Sequence, residues 1–569
     1  MNFEEMSKEE LIDYIKNINE SNNGKYGLIW DKEKEPEKIV EECNKYIPVL
    51  KEVENKKIEN DGDNNILIEG DNFHSLCVLN YTHRESIDVI YIDPPYNTGN
   101  RDFIYNDNYI EIEDGYRHSK WLNFMYKRLK IARNLLKDTG SIFISIDDNE
   151  YAQLKLLCDS IFNTNNYIGT FIVNAAPNGR DYGAMAKQHE YCLYYAKDIN
   201  KVYSKKIKDY DKKFTYSDEN GGFNIHPLYN SNVAFTPKNR PNLYYPFFVN
   251  PNKKIGEVFF EISLKKEKGY IEVYPPISVK GDAQFVWRWG KEKANLNLNK
   301  EIVGYKVGDE YRIVQKMRHS EKLIRSLLMD TKFSTRRGTA ELEQIIGEKT
   351  FSYPKPKELI KTLIEASCPE EGIILDFFAG TGTTGQAILE LNEEDKFDRK
   401  FIICTNNENN ICQNITYPRL KTIIRGKRED ESEYSNGLVG TLRYYKTDFV
   451  ENEGTRDQIY YDLTEKCIPM LCVKEDTYEI IEKNDQYAIY TNKSNDKFTC
   501  VYFDTVGNKY EKFLEKVKAI EEKKVLYIFT LGNKIEEPRL AEIKNYTIEA
   551  IPQRIYDLYK KLAKMSKEN

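Results

Sequence analysis

Hydrophobic positions recur in two rhythms along this chain of 569 residues. Short apolar runs, of the kind that form strands buried on both faces, occur at Ile66–Glu69, Ile87–Ile92, Ile142–Ile146, Ile373–Leu375 and Phe401–Cys404. Stretches at helical spacing lie between them. The best marked is "HSKWLNFMYKRLKIARNLLK", where Trp121, Leu122, Met125, Leu129, Ala132 and Leu136 share one face. Ser75–Tyr81, Lys357–Ala366 and a segment from Thr383 predict further helices. Strands alternating with helices imply a parallel sheet, so the expected fold is a doubly wound α/β sheet.

The rhythm breaks in two places. From about residue 196, Pro, Asn, Gly and Tyr become frequent, and residues 196–345 read as an insertion of unassigned topology. The sheet pattern is thereby divided into 61–195 and 346–440. Residues 1–60 are charged and predict a helical segment, closed by the turn-rich "ENDGDNN" (Glu59–Asn65). Residues 441–569 carry a strand at Lys524–Gly532 and a helix near Gln553–Ala563, and read as an α+β C-terminal domain.

Charge changes this picture. The net charge is −7, yet residues 201–340 hold 27 Lys and Arg against 15 Asp and Glu. A basic segment inside an acidic chain is the footprint expected of contact with phosphates, and equally of a lysine-coated surface. The start lacks a basic and an apolar leader region, and no apolar run approaches the ~20 residues of a membrane span. The ten cysteines include no C-x-x-C pair, which suggests neither a zinc site nor a disulfide framework. A reducing cytoplasm is the expected compartment, with no metal.

Two motifs carry chemistry. The first, "IYIDPPYNTG" (90–99), ends a strand in Asp93, Pro94, Pro95 and Tyr96. A conjugated exocyclic amine is a poor nucleophile. A carboxylate accepting one N–H and a rigid backbone carbonyl accepting the other push its nitrogen toward tetrahedral geometry and free the lone pair. A tyrosine offers the base a face, and the prolines hold these groups still in advance. The second motif, "DFFAGTGTTG" (376–385), places Gly380, Gly382 and Gly385 between a strand and a helix. That pattern alone also fits a dinucleotide enzyme. Such an enzyme wants an acid at the end of the next strand, where Thr405 stands and Glu408 arrives late. No Walker lysine follows the glycines. Both motifs are expected at the carboxyl ends of parallel strands, where open sheets bind ligands.

Together these motifs resemble the catalytic and cofactor motifs of S-adenosylmethionine-dependent DNA amino-methyltransferases, in the permuted, beta-type order. The similarity extends to the modification subunits of type III restriction–modification systems. "ILIEGDNFHSL", "SIFISIDDNEY", "HEYCLYYAK", "VWRWGKEK", "YPKPKELIKTLI", "NNENNICQNITYPRL" and "LRYYKTDFV" carry it, from about residue 25 to 450. The resemblance implies a Rossmann-like methyltransferase sheet with an inserted target-recognition domain, acting on adenine N6 of a flipped-out base in double-stranded DNA. Asp93, Pro94, Pro95 and Tyr96 would hold the adenine. Phe378, Gly380 and Gly382 would line the S-adenosylmethionine pocket, with Asp376 and Thr383 of the same motif. Lys355 and Pro356 of "PKP" would abut the methionine end, and Asp71 of "EGDN" would read the cofactor's adenine. Glu408 is the candidate for the ribose. A cytosine-C5 enzyme would need a thiolate, typically from Pro-Cys, and no such dipeptide occurs. The resemblance further implies a homodimer using C-terminal contacts and an ATP-dependent helicase–nuclease partner. A solitary regulatory methyltransferase and a non-catalytic DNA-binding subunit remain alternatives.

Three other features have plainer readings. Asp147-Asp148-Asn149-Glu150 reads as a helix N-terminal cap rather than a metal site. His189 and Glu190 read as structural. Arg288, between Trp287 and Trp289, is equally a stacking arginine or a surface residue beside core rings.

Overall fold

The buried apolar runs come together as the parallel centre of one ten-stranded sheet. The computed structural model describes residue 30 and residues 37–565, apart from 44, 101, 106–107, 180–183, 210–211, 279–281, 348–352, 504–509 and 531–539. In chain order the sheet and its helices are β1 (Tyr46–Glu52), β2 (Asn64–Glu69), α1 (Asn72–Thr82), β3 (Ile87–Ile92), α2 (Arg117–Leu135), β4 (Leu136–Ile146), α3 (Tyr151–Phe162), β5 (Tyr167–Val173) and β6 (Glu190–Ala196). Then come β7 (Leu327–Leu328), α4 (Lys357–Ser367), β8 (Ile373–Asp376), α5 (Thr383–Asp395), β9 (Lys400–Thr405), α6 (Tyr417–Arg425) and β10 (Thr441–Glu451). The strand order is β1-β10-β2-β9-β8-β3-β4-β6-β5-β7. Pairing is parallel from β10 through β4, while β1 and β6 run antiparallel to their neighbours.

Alternation within β3 shows why this segment is a central strand. Ile90 and Ile92 enter a core shared with α1, α2 and α3. Val89 and Tyr91 enter a second core, shared with α4, α5 and α6. A strand buried on both faces needs apolar side chains at every position, which is the unbroken run the sequence displays.

The decisive neighbour relation is β3 beside β8, with Val89 opposite Ile374 and Ile90 opposite Leu375. It joins the two halves of the sheet. The Asp88 carboxylate accepts from the Ile373 amide at 2.9 Å and from Lys137 at 2.8 Å, tying the start of β8 to β3. The two motifs therefore leave the sheet side by side.

Three expected boundaries move. Among the described residues, the 1–60 segment is α-helical only at Lys38–Glu42, with a single 3-10 turn at Glu54–Lys56, and residues 1–29 and 31–36 lie outside the described residues. Tyr46–Glu52 is instead a strand, registered antiparallel on Thr441–Glu451. Its Ile47, Val49 and Leu50 are buried there, and a partner so distant in sequence leaves no local sign. By the same pairing, Thr441–Glu451 belongs to the central sheet rather than to a C-terminal domain. The insertion is also shorter than 196–345. A compact unit spans Lys206–Leu323, whereas Leu327–Leu328 adds a strand beside Tyr167–Val173 in the larger unit.

The smaller unit is built on a seven-stranded antiparallel sheet. Its main core gathers Tyr245, Phe247, Phe260, Ile262, Trp287 and Ile313. In the larger unit, the C-terminal segment forms a five-stranded sheet from Glu479 to Ile551. That segment shares the core of α1: the Tyr559 hydroxyl donates to the Pro48 carbonyl at 2.7 Å, and Tyr81 donates to Glu549 at 2.8 Å.

Candidate active site

At the carboxyl edge of β3 and β8 lies a cavity of about 440 Å³, lined by Asp71, Asp93, Pro94, Pro95, Phe378, Gly380, Thr405 and Glu408, among others. Its volume falls within the usual range for small-molecule sites. One wall is the end of β3. The other is the glycine loop after β8.

On the β3 side, Trp121 of α2 donates its indole N–H to the Pro95 carbonyl at 2.7 Å. That fixes the Pro-Pro segment and leaves the Pro94 carbonyl as the one the motif can offer to a substrate. Asn97 follows in the left-handed region (φ 57°), which asparagine tolerates. Its amide donates to Glu150 at 2.5 Å and to the Arg117 carbonyl at 3.3 Å. Asp93 Oδ1 is a buried atom with no hydrogen-bond partner among the described residues, and lies 3.4 Å from Lys355 Nζ. Burial raises the Asp93 carboxyl above its usual range, Lys355 opposes that rise and Glu190 adds to it.

Lys355 is the hub of this wall. Its ammonium donates to the Tyr96 hydroxyl and to Glu190 Oε2, both at 2.5 Å, while the Tyr96 hydroxyl donates to Glu190 at 3.1 Å. Burial by itself would lower the Lys355 value, but Asp93 and Glu190 outweigh it and hold the ammonium more basic than usual. Tyr96 stays a neutral phenol, kept from ionising by burial and then by the charges of Asp93 and Glu190.

On the β8 side, Gly380 (φ 48°) and Gly382 (φ 78°) take left-handed backbone. A Cβ at Gly380 would meet no protein atom nearer than the Phe378 carbonyl oxygen at 3.9 Å, so a side chain there would fill free space beside the cavity it lines. A Cβ at Gly382 would press on Thr416 Cγ2 at 3.0 Å. Asp376 does not reach the cavity wall; it accepts from the Phe378 amide at 2.9 Å and the Thr384 hydroxyl at 2.5 Å. Burial pushes its carboxyl up to about 7. Thr383 likewise turns inward, accepting from buried Arg419 at 2.8 Å.

The expected cofactor residues thus separate. Asp71, Phe378, Gly380 and Glu408 line the cavity. Asp376, Gly382 and Thr383 shape the loop behind it. Lys355 stands with the Asp93 group, and Pro356 precedes the first turn of α4. Asp71 also caps α1, accepting from the Phe73 amide at 2.7 Å. Across the mouth, the Tyr109 hydroxyl approaches Glu408 at 3.4 Å.

Several site residues escaped sequence reasoning. Glu37, Phe103, Phe124, Asn406 and Ile411 line the same cavity. Arg128 lies beneath it, fully buried, donating to Glu37 at 2.7 Å and to Asn72 at 2.5 Å, with its guanidinium 3.7 Å from the centre of the Phe124 ring. Glu190, read as structural, is bonded directly to Tyr96 and Lys355. The only sequence signal for it was a charged residue opening an apolar strand. The helix-cap reading of Asp147–Glu150 is corrected as well. Asp147 closes a turn onto the Asn149 amide at 2.9 Å, and Glu150, which precedes α3, makes no side-chain cap. It points inward instead, because the buried Asn97 amide needs an acceptor there. Trp287 is core, its indole donating to the Tyr245 carbonyl at 2.6 Å, and Arg288 donates to the Tyr229 carbonyl at 3.2 Å. Among the described residues no cluster of three or more His, Cys, Asp or Glu is arranged to hold a metal ion.

A family model described as DNA methylase, for N6 and N4 methyltransferases, matches residues 87–417. The chain belongs to this DNA methylase family. The match opens at the first residue of β3 and takes in both walls of the cavity. This family member is 35% identical over 395 residues to the EcoPI Mod subunit of a type III restriction-modification enzyme from Escherichia phage P1, covering 62% of this chain and 59% of that one. The methylase chain therefore spans about three fifths of that relative's length. It is 36% identical over 387 residues to the type II methyltransferase M.KpnI of Klebsiella pneumoniae, covering 67% of this chain and 87% of that one. Among solved structures, the PvuII DNA methyltransferase, titled cytosine-N4-specific, aligns over 62% of this chain and 86% of that one, at 11% identity and a TM-score of 0.30.

Proposed function

We propose that the chain methylates adenine N6 in double-stranded DNA, with S-adenosylmethionine as methyl donor, as the modification subunit of a type III restriction–modification system. One observation carries the reading: Asp93-Pro94-Pro95 and the Gly380 loop face each other across one cavity, and Asp93 Oδ1 is a buried acceptor with no hydrogen-bond partner among the described residues. When bound, S-adenosylmethionine supplies a sulfonium methyl: the N6 lone pair forms the C–N bond, the S–CH₃ electron pair stays on sulfur, and one N6 proton is released.

The chain's own residues do the rest. Phe378 and Gly380 hold the cofactor, with Asp71 and Glu408 on the rim of the same cavity. Asp93 accepts one N–H of the amine and the Pro94 carbonyl accepts the other. Tyr96 supplies the face on which the flipped base rests. Asp93 is the nearest base for the departing proton, and its raised carboxyl suits that role. The unit Lys206–Leu323, with 21 Lys and Arg against 14 Asp and Glu, is the target-recognition element. Similarity to Mod subunits of type III restriction-modification enzymes supports pairing with an ATP-dependent restriction subunit.

Single-molecule modification sequencing tests this in a methylation-free host expressing the chain or its Asp93→Ala variant. N6-methyladenine at one short motif, absent with the variant, is the expected result. N4-methylcytosine, or marks that persist with Asp93→Ala, would sink the reading.

A further inference from the structure

The proposed chemistry leaves one half-buried carboxylate of the catalytic wall unused. Glu190 opens β6, two strands away from the strand that carries Asp93. From there it reaches Lys355 at 2.5 Å and the Tyr96 hydroxyl at 3.1 Å. Lys355 in turn stands 3.4 Å from Asp93 Oδ1 and 4.8 Å from the centre of the Tyr96 ring. One ammonium is thus shared between two carboxylates and a phenol. The sharing is unequal: Glu190 takes the short contact and Asp93 the long one.

That inequality has a chemical consequence. A lysine drawn fully onto Asp93 would tie up the carboxylate that must accept the substrate's N–H. A lysine removed altogether would leave Asp93 buried without a counter-charge, and it would take up a proton. Glu190 holds Lys355 at 2.5 Å and leaves it 3.4 Å from Asp93 Oδ1, a distance that supports the charge of Asp93 without a close hydrogen bond to it. By the same contact it fixes the Tyr96 hydroxyl, and with it the ring plane.

Resting on the adenine reading above, we propose that Glu190 is a positioning residue of the methyl-transfer site. It acts through Lys355 and Tyr96, keeping the Asp93 carboxylate charged but not tied up by the lysine, and the Tyr96 ring oriented for the flipped base. Nothing in the role requires Glu190 to touch substrate or cofactor.

Glu190→Gln is the informative change, because the amide keeps the shape and removes the charge. Lys355 then has Asp93 as its remaining carboxylate. The expected kcat falls about 10- to 100-fold, the scale on which misplaced catalytic groups act. The acid limb of the kcat profile moves to lower pH, since Asp93 loses a like charge and gains the lysine. The cofactor Kd by calorimetry stays within about 2-fold, an effect that would be small on the affinity scale. The fluorescence of 2-aminopurine placed at the target adenine changes on binding without turnover, because the ring beneath it has moved. Glu190→Asp, which restores the charge on a shorter arm, recovers part of kcat.

An unchanged kcat and pH profile in Glu190→Gln would overturn the proposal. So would a parallel loss of cofactor affinity and thermal stability, which marks a residue that only holds the strand. No N6-methyladenine from the wild-type chain would instead overturn the reading of the site itself.

Discussion

Trp121 and Gly380 show how single residues set the two walls. The Trp121 indole holds the Pro95 carbonyl from outside the cavity, so the rigidity visible in two adjacent prolines is completed by a side chain on the next helix. Trp121→Phe keeps a ring in the core and deletes the donor. The expected result is a fall of about 10-fold in kcat with cofactor affinity intact, alongside a stability loss of about 1 kcal/mol from one buried hydrogen bond. A loss in kcat/KM for the cofactor well beyond the loss in kcat would place the effect in cofactor binding instead. Gly380→Asn probes the other wall. Asparagine is among the residues that best accept left-handed backbone, so the substitution keeps the turn and fills the space. Calorimetry should show cofactor affinity reduced at least about tenfold, with the unfolding temperature near that of the wild type. The sequence revealed Asp93 and Gly380 because each sits where a strand run ends. It did not reveal Glu190 or Arg128, whose partners (Tyr96 and Lys355; Glu37 and Asn72) lie far along the chain.

At the scale of elements, the turn after Tyr96 leans on the start of α3. Asn97 donates to Glu150, which also meets His118 Nδ1 at 2.6 Å. Burial pushes the Glu150 carboxyl up to about 8, partly opposed by Asn97 and Arg117. Burial and then Arg117 lower the His118 imidazole. Burial thus favours the neutral form of each partner. The sign for stability follows. In the unfolded chain Glu150 releases its proton near its ordinary value of ~4.3, while the folded chain keeps it until about 8. Between those values the folded state binds more protons, so this residue makes stability fall as pH rises. Thermal unfolding from pH 5.5 to 8.5 should show that decline flattened in Glu150→Gln, which stays neutral throughout. A slope identical to that of the wild type would mean Glu150 is ionised in the folded protein. The core strands and helices were legible because buried parallel strands and amphipathic helices write distinct periods. The acidic run before α3 misled because Asx-rich stretches cap helices as a rule, and only the fold brings Asn97 within reach of Glu150.

At the scale of the molecule, the sequence marked where the α/β rhythm stopped, and the structure sets narrower limits. The composition stays rich in turns and basic residues to about 345, but the chain returns to the larger unit from Ile324. There the Thr335 amide and hydroxyl both reach the Ala175 carbonyl at 3.0 Å, and a Cβ at Gly338 would stand 2.2 Å from the Pro354 carbonyl oxygen. Those are contacts of the methylase sheet and its helices. Two chimeras separate recognition from folding on this basis. Replacing residues 206–323 with the equivalent unit of a relative should preserve thermal stability and cofactor binding while changing the methylated motif. Replacing residues 200–340 should change the same motif if the protein folds at all, but cost stability, because any residue larger than glycine at position 338 collides with backbone. Modification sequencing reads the motif and thermal unfolding reads the cost. A 206–323 chimera that still marks the original sequence would move target recognition out of the basic unit and into the larger one. A 200–340 chimera as stable as its parent would show that helix Thr335–Ile346 exchanges freely with the insertion.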